Sequence, residues 1–488
     1  MMFACAMYPR DAPYVDLVGR EVSEQVSRLA HHPSIVIWGG NNENEGALRW
    51  FGPSRDNRDL YVSDYVKLYV DTVRVAVSDA DADGRPFVDS SPSSGLISAS
   101  PYAKRWGDVQ ATSWGDAHYY NYNDDCEDVT TYPSARFVSE HGFQSFPSLR
   151  AFRSVSDDAD WSREGDLLAY RQRHPNGMEQ VLAMVGRHFA VPPANATPGA
   201  PVAAQRDLFD AYLWLTQLQQ ARCYETSFAT WRRLRAAPAG TMGVLYWQLN
   251  DVWQGPSWST LEVDGSPRLA HYAAARSFAP LMLSATETDG VLAAHLTSDL
   301  GAGANGTLVV EVYAWADAPA APRATRRAHV VAPARWSAEV WNVQLSALLD
   351  EARTQRAEAF VRLTFDGGAS GASVAFHWLA PFKDVALPPA KLEVVTATQT
   401  AADRALITLR SESTAAFATV ESDGVVGAFS DGAFTLLAGR NASVEFTGRT
   451  PFALPDLLRG LRLRSLADTL MRADGSPMRR RGRGSSAS

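Results

Sequence analysis

The 488-residue sequence is longer than one hydrophobic core usually serves, so two or three domains are expected. Hydrophobic residues make up 46% and charged residues 20%, enough for a large buried core, and no apolar run is long enough to span a bilayer. The net charge of −8 argues against nucleic acid as a partner, because phosphate neutralisation needs a basic surface.

Through the first half, short apolar runs alternate with longer helical patterns, the signature of βα units around a parallel sheet. Residues 3–7 predict a strand. Val15, Val18, Val22, Val26 and Leu29 then recur at helical spacing over 14–31, until His32-Pro33 stops the helix. A strand follows at 34–38. Leu60, Tyr61, Tyr65, Leu68 and Val73 give a helix over 59–78, and short strands are predicted at 86–89, 115–119 and 136–139. Beyond a Pro/Ala/Gly loop from Val191 to Ala204, Leu208, Tyr212, Leu215 and Leu218 mark one face of a helix over 206–235. The sixth strand is 243–247. From about residue 286 the pattern changes to period-two alternation, as in Leu308-Val309-Val310-Glu311-Val312 and Phe360-Val361-Arg362-Leu363-Thr364-Phe365, which reads as a β-sandwich. Pro388-Pro389 is a linker signal, after which Leu392-Glu393-Val394, Ala405-Leu406-Ile407-Thr408-Leu409 and Val444-Glu445-Phe446 predict a second, small sandwich. The closing Met478-Arg479-Arg480-Arg481-Gly482-Arg483-Gly484 run reads as a disordered basic appendage.

Three cysteines, Cys5, Cys126 and Cys223, are too few and too scattered for a disulfide framework or a zinc site and read as structural thiols. Cys126 sits in the acidic stretch Asp124-Asp125-Cys126-Glu127-Asp128, where solvated carboxylates are expected rather than a metal site. Asn195, Asn305 and Asn441 head Asn-x-Ser/Thr sequons, a weak pointer to a glycosylating compartment, whereas the first residues lack the charged and apolar regions of a signal peptide.

Two glutamates carry the chemistry. Glu43 closes the segment Ile35-Val36-Ile37-Trp38-Gly39-Gly40-Asn41-Asn42-Glu43, and Glu140 closes Arg136-Phe137-Val138-Ser139-Glu140 before His141-Gly142-Phe143-Gln144. In a β/α barrel the strand C-terminal ends share one face, and two carboxyl groups on that face suit glycosidic bond cleavage. One protonates the leaving oxygen while the other attacks the sugar carbon or activates a water. Glu45 competes with Glu43 and otherwise reads as a helix N-terminal carboxylate; Glu43 is preferred. A strand-terminal Glu140 could equally be an ion-pair partner of Arg136, His118 a core histidine, and Trp247 and Trp253 core aromatics.

Three long segments, in order, resemble motifs of the β-mannosidases of glycoside hydrolase family 2. They are Trp38-Gly39-Gly40-Asn41-Asn42-Glu43-Asn44-Glu45, Arg136-Phe137-Val138-Ser139-Glu140-His141-Gly142-Phe143-Gln144-Ser145-Phe146-Pro147-Ser148 and Thr241-Met242-Gly243-Val244-Leu245-Tyr246-Trp247-Gln248-Leu249-Asn250-Asp251-Val252-Trp253-Gln254. Phe3-Ala4-Cys5-Ala6-Met7-Tyr8-Pro9, Arg85-Pro86-Phe87 with Ser90-Ser91-Pro92, and Gly115-Asp116-Ala117-His118-Tyr119-Tyr120 are lesser similarities.

The resemblance implies a multidomain α/β plus β chain: an incomplete (β/α)8 TIM barrel over 1–285 with its first two strands missing, immunoglobulin-like β-sandwiches at 286–386 and 387–470, and a basic tail at 471–488. It implies a retaining, exo-acting hydrolase of terminal β-D-mannose. Glu43 would be the acid/base with a raised pKa, and Glu140 the ionised nucleophile. Asn42 would lie near the sugar 2-hydroxyl, Tyr119 would help hold the nucleophile, and Trp247 would form a platform under the ring. No metal and no cofactor are expected. The partners are β-mannoside oligosaccharides or glycans, with neither nucleic acid nor membrane, and the implied home is lysosomal or secreted. The alternatives are an inactive carbohydrate-binding or scaffold chain, and another family 2 activity on β-galactosides, β-glucuronides or glucosaminides.

Overall fold

The computed structural model describes residues 3–93, 112, 115–236, 238, 240–470, 474 and 476. Apart from Asp474 and Ser476, the basic tail at 471–488 lies outside the described residues. The chain divides into two compact units, one of Met1–Tyr120, Pro133–His141 and Leu234–Tyr246, the other of Asn121–Tyr132, Gly142–Arg233 and Trp247–Ser488.

The first unit is parallel α/β. Helix α1, Ala12–Leu29, starts where the Asp11 side chain accepts from the Tyr14 N–H with Pro13 in the first turn, and it buries Val15, Val18, Val22 and Val26 on one stripe. The helical stretch Arg58–Ala80 packs against it, with Val66–Val73 wound as a π-helix, and Tyr65, Leu68, Tyr69 and Val73 complete the same core. Strands β1, Trp38–Asn42, and β2, Phe87–Ser91, pair in parallel, as do β3, Ala117–Tyr119, and β4, Val138–His141. The predicted strand at 3–7 is reduced to a parallel bridge from Ala4 to Asn42, and that at 243–247 to a parallel bridge from Val138 to Val244. The Asp116 N–H donates to the Ser93 carbonyl at 3.1 Å and links the β2 and β3 segments.

The expected strand at 34–38 is displaced. Its ladder begins only at Trp38 and runs to Asn42, while Val36 and Ile37 are 72% and 46% exposed. The apolar run precedes the strand, and the strand itself is Gly-Gly-Asn-Asn. A Cβ at Gly40 would sit 2.6 Å from the Asp89 carbonyl, so β1 and β2 approach as closely as they do only with glycine there. Asn41 is fully buried and satisfied, its amide donating to the Asp89 carbonyl at 2.6 Å and its oxygen accepting from Ser90 Oγ at 2.7 Å and the Asn44 N–H at 3.1 Å.

The second unit contains the helix Val202–Arg233 and two β-sandwiches. Leu208, Tyr212, Leu215 and Leu218 are all buried, but so are Phe209, Leu213 and Trp214, so the helix is enclosed on more than the one predicted face. In the first sandwich, the strands Ala359–Asp366 and Ala304–Ala314 lie in the middle of a four-stranded antiparallel sheet. Their register sets Val361, Leu363 and Phe365 opposite Val312, Val310 and Leu308, all buried. A three-stranded sheet from Leu281–Thr288, Val291–Ser298 and Ser337–Gln344 closes this core. In the second sandwich the pairs Ala405 with Phe446 and Ile407 with Val444 play the same part.

The cysteines correct the sequence reading. Cys126 and Cys223 form a disulfide across 97 residues, tying the acidic loop to the Val202–Arg233 helix, while Cys5 is free. The acidic loop is also paired rather than merely solvated, Asp125 with His188 Nε2 at 2.8 Å and Glu127 with Arg222 at 2.8 Å. Spacing along the sequence gave no sign of this pair because the helix brings distant residues together. Closing so long a loop removes about 2–5 kcal/mol of unfolded-state freedom. A reductant should therefore lower the melting temperature of the chain by several degrees and leave a Cys126→Ser/Cys223→Ser variant unmoved. Equal melting of the wild type with and without reductant would show that the pair contributes no stability.

Candidate active site

Glu43 leaves β1 in the left-handed backbone region, φ 63°, with its N–H donating to the Ser91 carbonyl at 2.7 Å. Cys5 is left-handed as well, φ 50°, and its thiol donates to Glu43 Oε2 at 3.1 Å. Two non-glycine residues in this region, side by side at the strand ends, are local strain of the kind that gathers at functional sites. Glu45, the rival candidate, is buried in the short helix Asn44–Ala47.

Glu140 stands opposite His118 in the β3–β4 register. His118 is buried, and its Nδ1 lies 2.7 Å from Glu43 Oε1 and 3.6 Å from Glu140 Oε2. One donor atom each from Glu43, His118 and Glu140 falls within 4.8 Å of the others. The 2.7 Å contact between Nδ1 and Oε1 is a hydrogen-bond distance. One oxygen of each carboxyl group therefore lies within 4.8 Å of the other, an approach compatible with the roughly 5–5.5 Å of a direct nucleophile pair.

The hydroxyl of Tyr120, the residue after the expected Tyr119, donates to Glu140 Oε1 at 2.5 Å. Tyr120 lies two residues beyond His118, just past the end of β3, and both side chains reach the carboxyl groups. Behind His118, its Nε2 meets Ser91 Oγ at 3.0 Å; Ser91 and Ser139 donate to Asp116 Oδ2 at 2.5 and 2.6 Å. His118, Tyr120, Cys5, Asp116, Ser91 and Ser139 were not among the expected site residues. The signal that could have found His118 and Tyr120 is their His-x-Tyr spacing at the end of a strand.

Asn42 is half-buried at the end of β1, its amide 3.7 Å from the Cys5 sulfur and so on the Glu43 side. Trp247 belongs to the second unit; it is 45% exposed, its peptide bond to Gln248 is cis, and its carbonyl accepts from the Tyr224 hydroxyl at 2.8 Å. His141 faces away from Glu140, donates from Nδ1 to the Leu245 carbonyl at 2.9 Å, and is pushed by burial down to about 3, so it stays neutral.

The electrostatics reverse the expected order. Burial favours the neutral form of Glu43, but the hydrogen bond and charge of His118, with the Cys5 thiol, hold this carboxyl below its ordinary value. Burial also acts on Glu140 and, together with the negative charge of Glu43, carries it above its ordinary value against the opposing pull of His118 and Tyr120. The reason is proximity: His118 is nearer Glu43 than Glu140 by 3.6 − 2.7 = 0.9 Å. Cys5 is pushed up to about 12 by burial and by its bond to Glu43, so it remains a thiol donor.

The parallel α/β unit and the two sandwiches together have counterparts among solved structures. The fold matches a β-D-mannosidase from Dictyoglomus thermophilum at a TM-score of 0.76, with 20% identity, over 95% of this chain and 52% of that one. It also matches an exo-chitosanase from Amycolatopsis orientalis at 0.64, with 14% identity, over 93% of this chain and 53% of that one. Residues 290–384 match the mannosidase Ig/CBM-like domain family, and residues 387–469 the Ig-fold domain family of mannosidases. A β-mannosidase of Capra hircus is 35% identical over 485 residues, covering 96% of this chain and 53% of the goat protein. The chain is therefore similar to curated β-mannosidases over nearly all its own length, and it spans about half the length of the curated relatives it matches. No helix among the described residues is long and apolar enough to cross a membrane.

Proposed function

We propose that this chain carries the catalytic pair of a retaining, exo-acting β-mannosidase, removing terminal β-D-mannose from the non-reducing ends of β-mannoside oligosaccharides and glycans. The observation that carries the reading is the approach of one oxygen each from Glu43 and Glu140 to within 4.8 Å beside His118, which favours a nucleophile pair. The β-mannosidase names of relatives at 34–35% identity supply the sugar. In this reading Glu140 attacks the anomeric carbon as Glu43 protonates the departing oxygen, and Glu43 then deprotonates the water that releases the sugar. Tyr120 holds the nucleophile, and Asn42 lies where it can meet a hydroxyl beside the reacting carbon.

Residues 1–285 are read as later strands of a (β/α)8 barrel, with sandwiches over 286–386 and 387–470. Exposed side chains at Asn195, Asn305 and Asn441, and the buried disulfide, favour an oxidising compartment, lysosomal or secreted. The test is to assay the recombinant chain, with and without an amino-terminal extension, on aryl β-mannoside and aryl β-galactoside. Mannoside cleavage is expected. Cleavage of galactoside but not mannoside would overturn the substrate, and an inactive extended form would favour a carbohydrate-binding or scaffold role.

A further inference from the structure

We infer that Asp116, Ser91 and His118 form a proton-holding relay behind Glu43, in which the His118 imidazolium stores the proton that Glu43 delivers and gives it up as Glu140 loses its charge. The catalytic use of the relay rests on the roles proposed above; its hydrogen bonding does not.

Asp116 Oδ1 accepts from the Ser93 N–H at 2.7 Å and Ser93 Oγ at 3.1 Å, and Oδ2 accepts from Ser91 Oγ at 2.5 Å and Ser139 Oγ at 2.6 Å. Four donors fill the acceptor sites of an ionised carboxylate and leave no place for a carboxyl proton. Ser91 has one hydroxyl proton, and Asp116 takes it. The Ser91 oxygen therefore accepts from His118, whose Nε2 at 3.0 Å must carry a hydrogen. With that tautomer fixed, Nδ1 faces Glu43 Oε1 at 2.7 Å, a distance that requires one shared proton, since two lone pairs would repel.

Where the proton rests depends on the charges around the ring. Glu43 faces it from the end of β1, Glu140 from β4, and Asp116 through Ser91; Tyr120 donates to Glu140, and the neutral Cys5 thiol to Glu43. The ionised Glu140, 3.6 Å from Nδ1, favours imidazolium beside carboxylate. When Glu140 bonds to the anomeric carbon it becomes a neutral ester and that attraction is lost. The bond from that carbon to the leaving oxygen breaks, its electron pair stays on the oxygen, and the oxygen takes the Glu43 proton while Glu43 receives the proton from Nδ1. In the second half-reaction water bonds to the same carbon and the ester bond breaks with its pair returning to Glu140. The water proton passes through Glu43 to Nδ1. Net charge is unchanged in each half, and the relay explains why Glu43 can be the acid although it is held low at rest.

The test is histidine ring nitrogen NMR on the full chain, with His118 assigned from the signals lost in His118→Asn. In the wild type at neutral pH both ring nitrogens should carry protons. Glu140→Gln should diminish the Nδ1 proton while sparing Nε2. Asp116→Asn, whose amide can donate to Ser91, should turn the hydroxyl toward His118 and strip the proton from Nε2; Ser91→Ala serves if that variant does not fold. A wild-type His118 with an unprotonated Nε2, or an Nδ1 signal indifferent to Glu140→Gln, would overturn the relay whatever the activity. Absence of turnover with these spectra intact would instead count against the enzymatic reading alone. Where turnover is present, Asp116→Asn should lower kcat on poor leaving groups with KM nearly unchanged, by less than the roughly 10²–10⁴-fold expected of losing Glu43 itself.

Discussion

Glu140→Ala should abolish turnover of every β-mannoside, whatever its leaving group. Without the carboxylate no covalent glycosyl-enzyme forms, and the loss should exceed the roughly 10²–10⁴-fold typical of losing an acid/base alone. The fold should survive, because Glu140 is only half-buried and its removal withdraws a hydrogen bond at the site rather than opening the hydrophobic core. A melt indistinguishable from wild type would separate lost chemistry from lost structure. A small anion adds a sharper readout. Azide placed where the carboxylate stood should attack from the same side and give the inverted α-mannosyl azide, whereas a structural defect would not be rescued. Retention of more than about a tenth of wild-type kcat would remove Glu140 from the nucleophile role.

How much of this could be read without coordinates depends on the distance over which each feature is encoded. Glu43 and Glu140 were legible because a strand end and its carboxylate lie within a few residues. The sandwiches were legible because period-two alternation is local, as in Val361, Leu363 and Phe365 against the buried residues of the partner strand. The first site strand was misplaced because its apolar run, Ile35-Val36-Ile37, precedes the paired residues, while Gly39, Gly40 and the satisfied Asn41 carry the ladder. Tyr120 was not singled out beside Tyr119, because the contact of its hydroxyl with Glu140 depends on the pairing of two segments some twenty residues apart. The Cys126–Cys223 bond joins residues 97 apart and has no local sign. The order of the two glutamates was the least legible feature, since it turns on which carboxyl group lies nearer one imidazole nitrogen.

Glu43→Ala should divide substrates by their leaving groups. A poor leaving group such as a second sugar needs protonation as the bond breaks and should be slowed by about 10²–10⁴-fold, while an activated aryl mannoside should form the glycosyl-enzyme at nearly the normal rate. The second step also uses Glu43, as the base toward water, so on activated substrates the variant should show a burst and then a slow phase. Azide, which needs no base, should relieve that slow phase and yield the β-mannosyl azide, the configuration opposite to that from Glu140→Ala. The pH profile offers an independent check. Glu140 is raised first by burial and further by the charge on Glu43, and it must be ionised to attack, so activity should climb as pH rises through its value. Removing the Glu43 charge lowers Glu140 and should move that acidic limb to lower pH. Equal loss on good and poor leaving groups, with the acidic limb unmoved, would leave Glu43 as a support of His118 and require another proton donor for the departing sugar.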